Sequence, residues 1–104
     1  MNLLDKAYCG DGLLQCIIGE LYLKIGFKRG QLGAINSNLL LSSVWGSVKN
    51  IKVNPNLKKY ADLYEAEVYK IFINDGYNAA KEYVKETLGR YYAKLSIKAG
   101  KLFE

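Results

Sequence analysis

The feature that most constrains this chain is an acid set inside an apolar helical stripe. Between Asn2 and Gly26 the sequence reads NLLDKAYCGDGLLQCIIGELYLKIG. Leu4, Ala7, Tyr8, Leu14, Ile18 and Leu21 recur at three- and four-residue steps, the spacing that gathers side chains on one face of an α-helix. Asp11 falls within that stripe. A bare carboxylate withdrawn from water costs several kcal/mol, so the pattern implies a positive partner for Asp11. Gly10 and Gly12 flank it, each giving up about 1 kcal/mol of helix propensity relative to alanine. Two glycines beside one acid mark the close approach of another backbone, a partner helix or a ligand, or a plain crossing of two core helices.

The same periodicity, carried along the chain, predicts a single all-α domain spanning residues 1–104. Asn2 is a natural N-cap for the first helix, which stops at Gly26. After a basic connector, Lys28-Arg29-Gly30, a second helix is expected from Gln31 to about Leu41, with Leu32, Ile35, Leu39 and Leu40 on its apolar face. Ser42 or Ser43 then caps a short helix through Trp45 and Val48. The alternation over Lys49 to Val53 has no partner strand and reads as a loop. Asn54-Pro55 predicts the start of a third long helix, an N-cap with proline at the first helical position. Its stripe is Leu57, Ala61, Tyr64, Val68, Ile71 and Phe72, and Asn74-Asp75-Gly76 ends it. Asp75 is then expected to cap a fourth helix over Tyr77 to Leu88, with Gly89 a stop or hinge. Residues 89–104 form a basic helical extension, with Tyr92, Leu95, Ala99 and Leu102 in one stripe and Lys94, Lys98 and Lys101 on another face.

Composition narrows the chemistry. With no histidine among 104 residues, imidazole acid–base catalysis, histidine-activated nucleophiles and most catalytic zinc sites are excluded. Carboxylates, lysines, tyrosines, a thiol or a hard metal ion must suffice. The net charge of +5 favours a polyanionic partner, nucleic acid or an anionic surface. Cys9 and Cys16 lie about 10 Å apart along one helix, too far for a disulfide, and read as buried thiols in a reducing compartment. No run reaches transmembrane length and the first residues lack a basic leader, so a cytosolic or organelle-matrix location is expected. A small domain with apolar surface spread along long helices is expected to pair with a copy of itself.

The third helix repeats the oddity of the first. In ADLYEAEVY, Asp62 and Glu65 are three residues apart and share a side of the helix, Glu65 beside Ala61, Tyr64 and Val68. Asp62 can pair with Lys58 or Lys59 as an ordinary solvated edge. Glu65 has no basic neighbour at three or four positions. Together with Asp11 these acids make an oxygen-only ligand set suited to a hard, hydrated cation, magnesium above all. Such an ion supports phosphodiester hydrolysis without histidine.

These residues carry a resemblance. Ala7-Tyr8-Cys9-Gly10-Asp11-Gly12-Leu13-Leu14 resembles the signature helix of the ribonuclease III family, and Ala61-Asp62-Leu63-Tyr64-Glu65-Ala66 resembles its second acidic motif. Asn74-Asp75-Gly76 and Tyr77-Asn78-Ala79-Ala80 are similar to the turn and small-residue helix that follow, so the likeness covers residues 4 to 88 in order. It implies a minimal ribonuclease III-like helical domain, a homodimer that cleaves double-stranded RNA with magnesium. Asp11 and Glu65 match the metal-binding catalytic acids of the family and Asp62 its additional acid. Tyr8 and the two glycines match the dimer seam. Arg29, Lys49, Lys52, Lys58 and Lys59 are the candidate phosphate contacts, since A-form RNA is recognised mainly by backbone and shape. The chain departs from longer members at Leu4 and Ala7, where they carry acids, and lacks their acid within Lys28-Arg29-Gly30-Gln31. Ala7-Tyr8 is instead similar to the compact Mini-III branch, although the interval between the two motifs is shorter. These departures leave open a second expectation, a non-catalytic RNA-binding or ribonucleoprotein-assembly module of the same fold.

Overall fold

Local signals open and close five helices. The computed structural model describes the backbone of residues 1–103 and the side chains of residues 1–92. In chain order the helices are α1 (Leu3–Leu23), α2 (Arg29–Ile35), α3 (Asn38–Lys49), α4 (Lys58–Asp75) and α5 (Tyr77–Phe103), and no strand occurs among the described residues. Asn2 caps α1 as expected, its Oδ1 accepting from the Asp5 N–H at 2.8 Å. Beyond Leu23 the chain turns through Gly26, and Phe27 folds edge-on against Tyr22 with ring centroids 5.3 Å apart.

Several boundaries differ from the sequence expectation. The break between α2 and α3 falls at Asn36-Ser37, where Ser37 Oγ accepts from the Leu40 N–H at 3.2 Å. Ser42 and Ser43 are interior to α3, Ser42 buried and Ser43 donating back to the Leu39 carbonyl at 2.9 Å. Asn54-Pro55 opens a turn and not α4. The Leu57 N–H reaches the Asn54 carbonyl at 3.0 Å with proline second in the turn, a position its fixed φ suits equally well. Gly76, not Asp75, joins α4 to α5: its N–H donates to the Phe72 carbonyl at 2.9 Å and its carbonyl accepts from Ala80 at 3.2 Å. Its φ of +93° is one that side-chain-bearing residues rarely adopt. Finally, α5 runs through Gly89 without interruption. One exposed glycine gives up only about 1 kcal/mol, less than burial of Leu88 beside it contributes. The expected faces formed by Leu95, Ala99 and Leu102 and by the three tail lysines lie outside the described side chains.

α1 packs along α4 at the centre, with α3 and α5 closing the remaining faces of α4. The core joins Leu14, Ile17 and Ile18 to Tyr64 and Val68, then to Leu41 and Val44 on α3 and to Ala80, Val84 and Leu88 on α5. Fully burying each of the three α1 residues contributes about 1.5–3 kcal/mol. That outweighs the helix propensity given up at Gly10 and Gly12. The buried Tyr64 hydroxyl meets Thr87 Oγ1 at 2.7 Å, so no polar atom of that pair is stranded in the core. At the other end of α1, Glu20 accepts from Lys81 at 3.1 Å and from the Tyr77 hydroxyl, tying α1 to α5.

The buried face of α1 is rotated from the expected stripe. Ala7, Gly10, Leu14, Ile17 and Ile18 point inward, whereas Leu4 and Tyr8 are 65% and 83% exposed. Asp11 therefore sits at the border of the core, half-buried. Cys16 is exposed and Cys9 half-buried, so the two thiols are not the buried pair expected; both are free. Gly10 has a reason within the chain. A Cβ built there would lie 2.0 Å from the Glu65 carbonyl oxygen, so Gly10 is the point where α1 and α4 touch backbone to backbone. It is thus an intrachain crossing. At Gly12 an added Cβ meets nothing within 4 Å.

The two glycines should accordingly respond in opposite directions. Gly10→Ala is expected to destabilise the fold by about 1–3 kcal/mol through overpacking, and Gly12→Ala to stabilise it by roughly 0.5–1 kcal/mol through helix propensity. Urea unfolding of the two variants checks this; a neutral Gly10→Ala would mean that the helices do not cross there.

Candidate functional site

Because Gly10 lets α1 sit directly on the Glu65 backbone, the next residue, Asp11, is delivered to the acidic side of α4. Asp62 and Glu65 stand on that side nearly one turn apart. The three carboxylates line one pocket of about 360 Å³. Lys58, Asn36 and Asn38 complete its polar lining, and Leu4, Ala7 and Tyr8 form an apolar wall. Leu4 and Ala7 thus border the same cavity as the three acids.

The pocket holds more negative charge than its own cation answers. Lys58 Nζ lies 3.8 Å from Asp62 Oδ1, the pairing the sequence allowed, with most of the lysine side chain in solvent. Asp11 receives a long hydrogen bond from Asn36 Nδ2, 3.4 Å. Glu65 is only 6% exposed. Burial, then the charges of Asp11 and Asp62, push its carboxyl up to about 7, against a weaker opposing pull from Lys58. The positive partner that Asp11 called for is an amide dipole, not a full charge. Further, Asn36 Oδ1 is buried without a hydrogen-bond partner.

This donor set, all oxygen and net negative, suits a hard cation. Among the described residues no three Asp, Glu, Cys or His are drawn into a preformed metal cluster. Ligation by one or two carboxylates, with water bridging to the rest, is what magnesium ordinarily takes. Asp11, Asp62 and Glu65 are the residues that would hold it.

Of the five basic candidates, Lys58 alone lines the acid pocket. Arg29 lines a neighbouring one of about 640 Å³, which shares Asp11, Asn36 and Asn38 with the first. Lys49 Nζ lies over the Trp45 ring at 4.8 Å, and Lys59 Nζ over Tyr60 at 5.0 Å. Lys52 is exposed in the connector between α3 and α4. Sequence reasoning passed over Asn36, which touches both pockets. The polar run Asn36-Ser37-Asn38 between two apolar helical stretches was the available signal.

No protein-family model, curated protein or solved structure matches the chain. No helix among the described residues is long and apolar enough to cross a membrane.

The raised affinity of Glu65 for a proton couples the pocket to stability. Between about pH 4.5 and 7 the folded protein keeps a proton that the unfolded chain has released, so stability falls as pH rises through that window. Glu65→Gln removes the effect. The loss of unfolding free energy from about pH 5 to pH 8 should be smaller in the variant, by up to about 3 kcal/mol. Denaturant titrations at the two pH values measure it; parallel losses in both proteins would show that Glu65 ionises normally.

Proposed function

We propose that the chain is a minimal ribonuclease III-like domain that hydrolyses phosphodiester bonds of double-stranded RNA with magnesium, acting as a homodimer. The observation that carries this reading is the meeting of Asp11, Asp62 and Glu65, two motifs far apart in sequence, in one pocket with uncompensated negative charge. Leu4 and Tyr8, exposed on α1, offer apolar surface for a second copy. The net charge of +5 suits an RNA backbone.

In this mechanism Asp11 and Glu65 would hold the ion, with Asp62 assisting directly or through water. Bound magnesium supplies activation of water and neutralisation of charge developing on the phosphate. Asn36, donating to Asp11 Oδ1, fixes the direction of that carboxylate. Lys58 places an ammonium beside Asp62, where it both restrains the acid and meets a phosphate oxygen of the substrate. Burial of Glu65 beside Asp11 and Asp62 raises its affinity for a proton, so the pocket does not gather three full negative charges.

A second reading, an RNA-binding or assembly module without catalysis, is favoured by one observation, the lack of a preformed three-ligand cluster among the described residues. Cleavage of a labelled RNA duplex separates the two. Magnesium-dependent cutting is expected, lost in chelator and reduced about 100-fold or more by Glu65→Ala or Asp11→Asn, with the oligomeric state unchanged. A salt-sensitive shift of the duplex without cutting would establish the binding module instead. Undiminished cleavage by Glu65→Ala would remove these acids from the site.

A further inference from the structure

The neighbouring pocket, enclosed by α1, α2 and the start of α3, has a volume of about 640 Å³, within the range that accommodates small organic ligands. Its lining mixes apolar, polar and charged groups. Ile18, Leu32 and Gly33 give an apolar surface; Gln15 and Asn38 present carboxamides; Arg29 supplies a guanidinium. Asn36, on the wall shared with the acid pocket, carries the buried oxygen that lacks a donor.

We propose that this pocket takes a single unpaired nucleotide of the RNA, set beside the phosphate that occupies the acid pocket. The inference rests on the RNA-cleaving reading of that pocket and adds the class of substrate. A nucleotide has a flat face, an edge of donors and acceptors, and an anion. The pocket has a counterpart for each. The base lies against Ile18, Leu32 and Gly33, its edge meets the carboxamides of Gln15 and Asn38, and the phosphate is drawn to Arg29. Asp11, the one acid on this lining, accepts from a base amino group and repels ligands that are anionic throughout. A fully paired A-form helix keeps its bases stacked and cannot enter. A bulged or looped-out base is already largely released, so the favoured substrate is a duplex interrupted by an unpaired residue next to the cut.

The test uses the full chain in calcium and a short RNA duplex carrying one 2-aminopurine bulge, beside the same duplex fully paired. Binding to the bulged duplex is expected to be about tenfold tighter, with a change in 2-aminopurine fluorescence. Gly33→Phe adds bulk on the lining of the pocket, at an exposed position where an added Cβ meets nothing within 4 Å. It should reduce the preference to less than about twofold while leaving affinity for the paired duplex unchanged. Arg29→Gln, at an exposed residue, should weaken the preference in the same direction. Equal affinity for the two duplexes overturns the proposal, as does a preference that survives Gly33→Phe. Cleavage in magnesium, measured alongside, keeps the two ideas apart. Cutting of the paired duplex without bulge preference defeats the nucleotide pocket and leaves the ribonuclease standing. Bulge preference without cutting supports the pocket and counts against the ribonuclease.

Discussion

The contact on which the rest depends is the crossing of α1 and α4 at Gly10. There the absence of a single Cβ lets one helix rest on the Glu65 carbonyl of the other. Any side chain would push the axes apart. Leu14, Ile17 and Ile18 would then withdraw from Tyr64 and Val68, and Asp11 from the acids of α4. Core and pocket therefore share one geometric condition, and the same glycine that admits close packing is the neighbour of the acid that packing positions.

Close packing also explains the electrostatics. Glu65 is buried because its backbone lies under α1, and burial in the company of Asp11 and Asp62 makes its charge costly. Asn36 enters because α2 ends there and Ser37 restarts the chain as α3, turning the amide toward Asp11. A capping event, a helix crossing and two acids one turn apart are separate local choices. Their intersection makes the pocket.

The helices themselves were legible because a period of three to four residues survives any detail of packing. Their ends were less so. Asn54-Pro55 fits the first turn of a helix and the corner of a β-turn equally, and only the Leu57 to Asn54 hydrogen bond distinguishes them. Ser42 and Ser43 have the chemistry of caps, yet neighbouring Leu41 and Val44 buried the segment as helix. At the site, Asp11, Asp62 and Glu65 stood out since acids in apolar company are conspicuous. Asn36 did not, because an asparagine between two helices is ordinary until the turn aims it. The exposure of Leu4 and Tyr8 was hidden for a related reason: a stripe of six apolar positions does not say which edge of it meets the core.

The single-residue junction at Gly76 bears on the order in which the molecule assembles. α4 and α5 are joined with almost no loop to close, so their pairing draws on contacts local in sequence, the kind that form early. The α1–α4 crossing instead closes the whole intervening segment that contains α2 and α3. The α4–α5 pairing places Asp62 and Glu65 on one hairpin, and only the longer-range crossing brings Asp11 to them. The acidic pocket thus depends on the contact that is distant in sequence, and the neighbouring contacts alone do not form it.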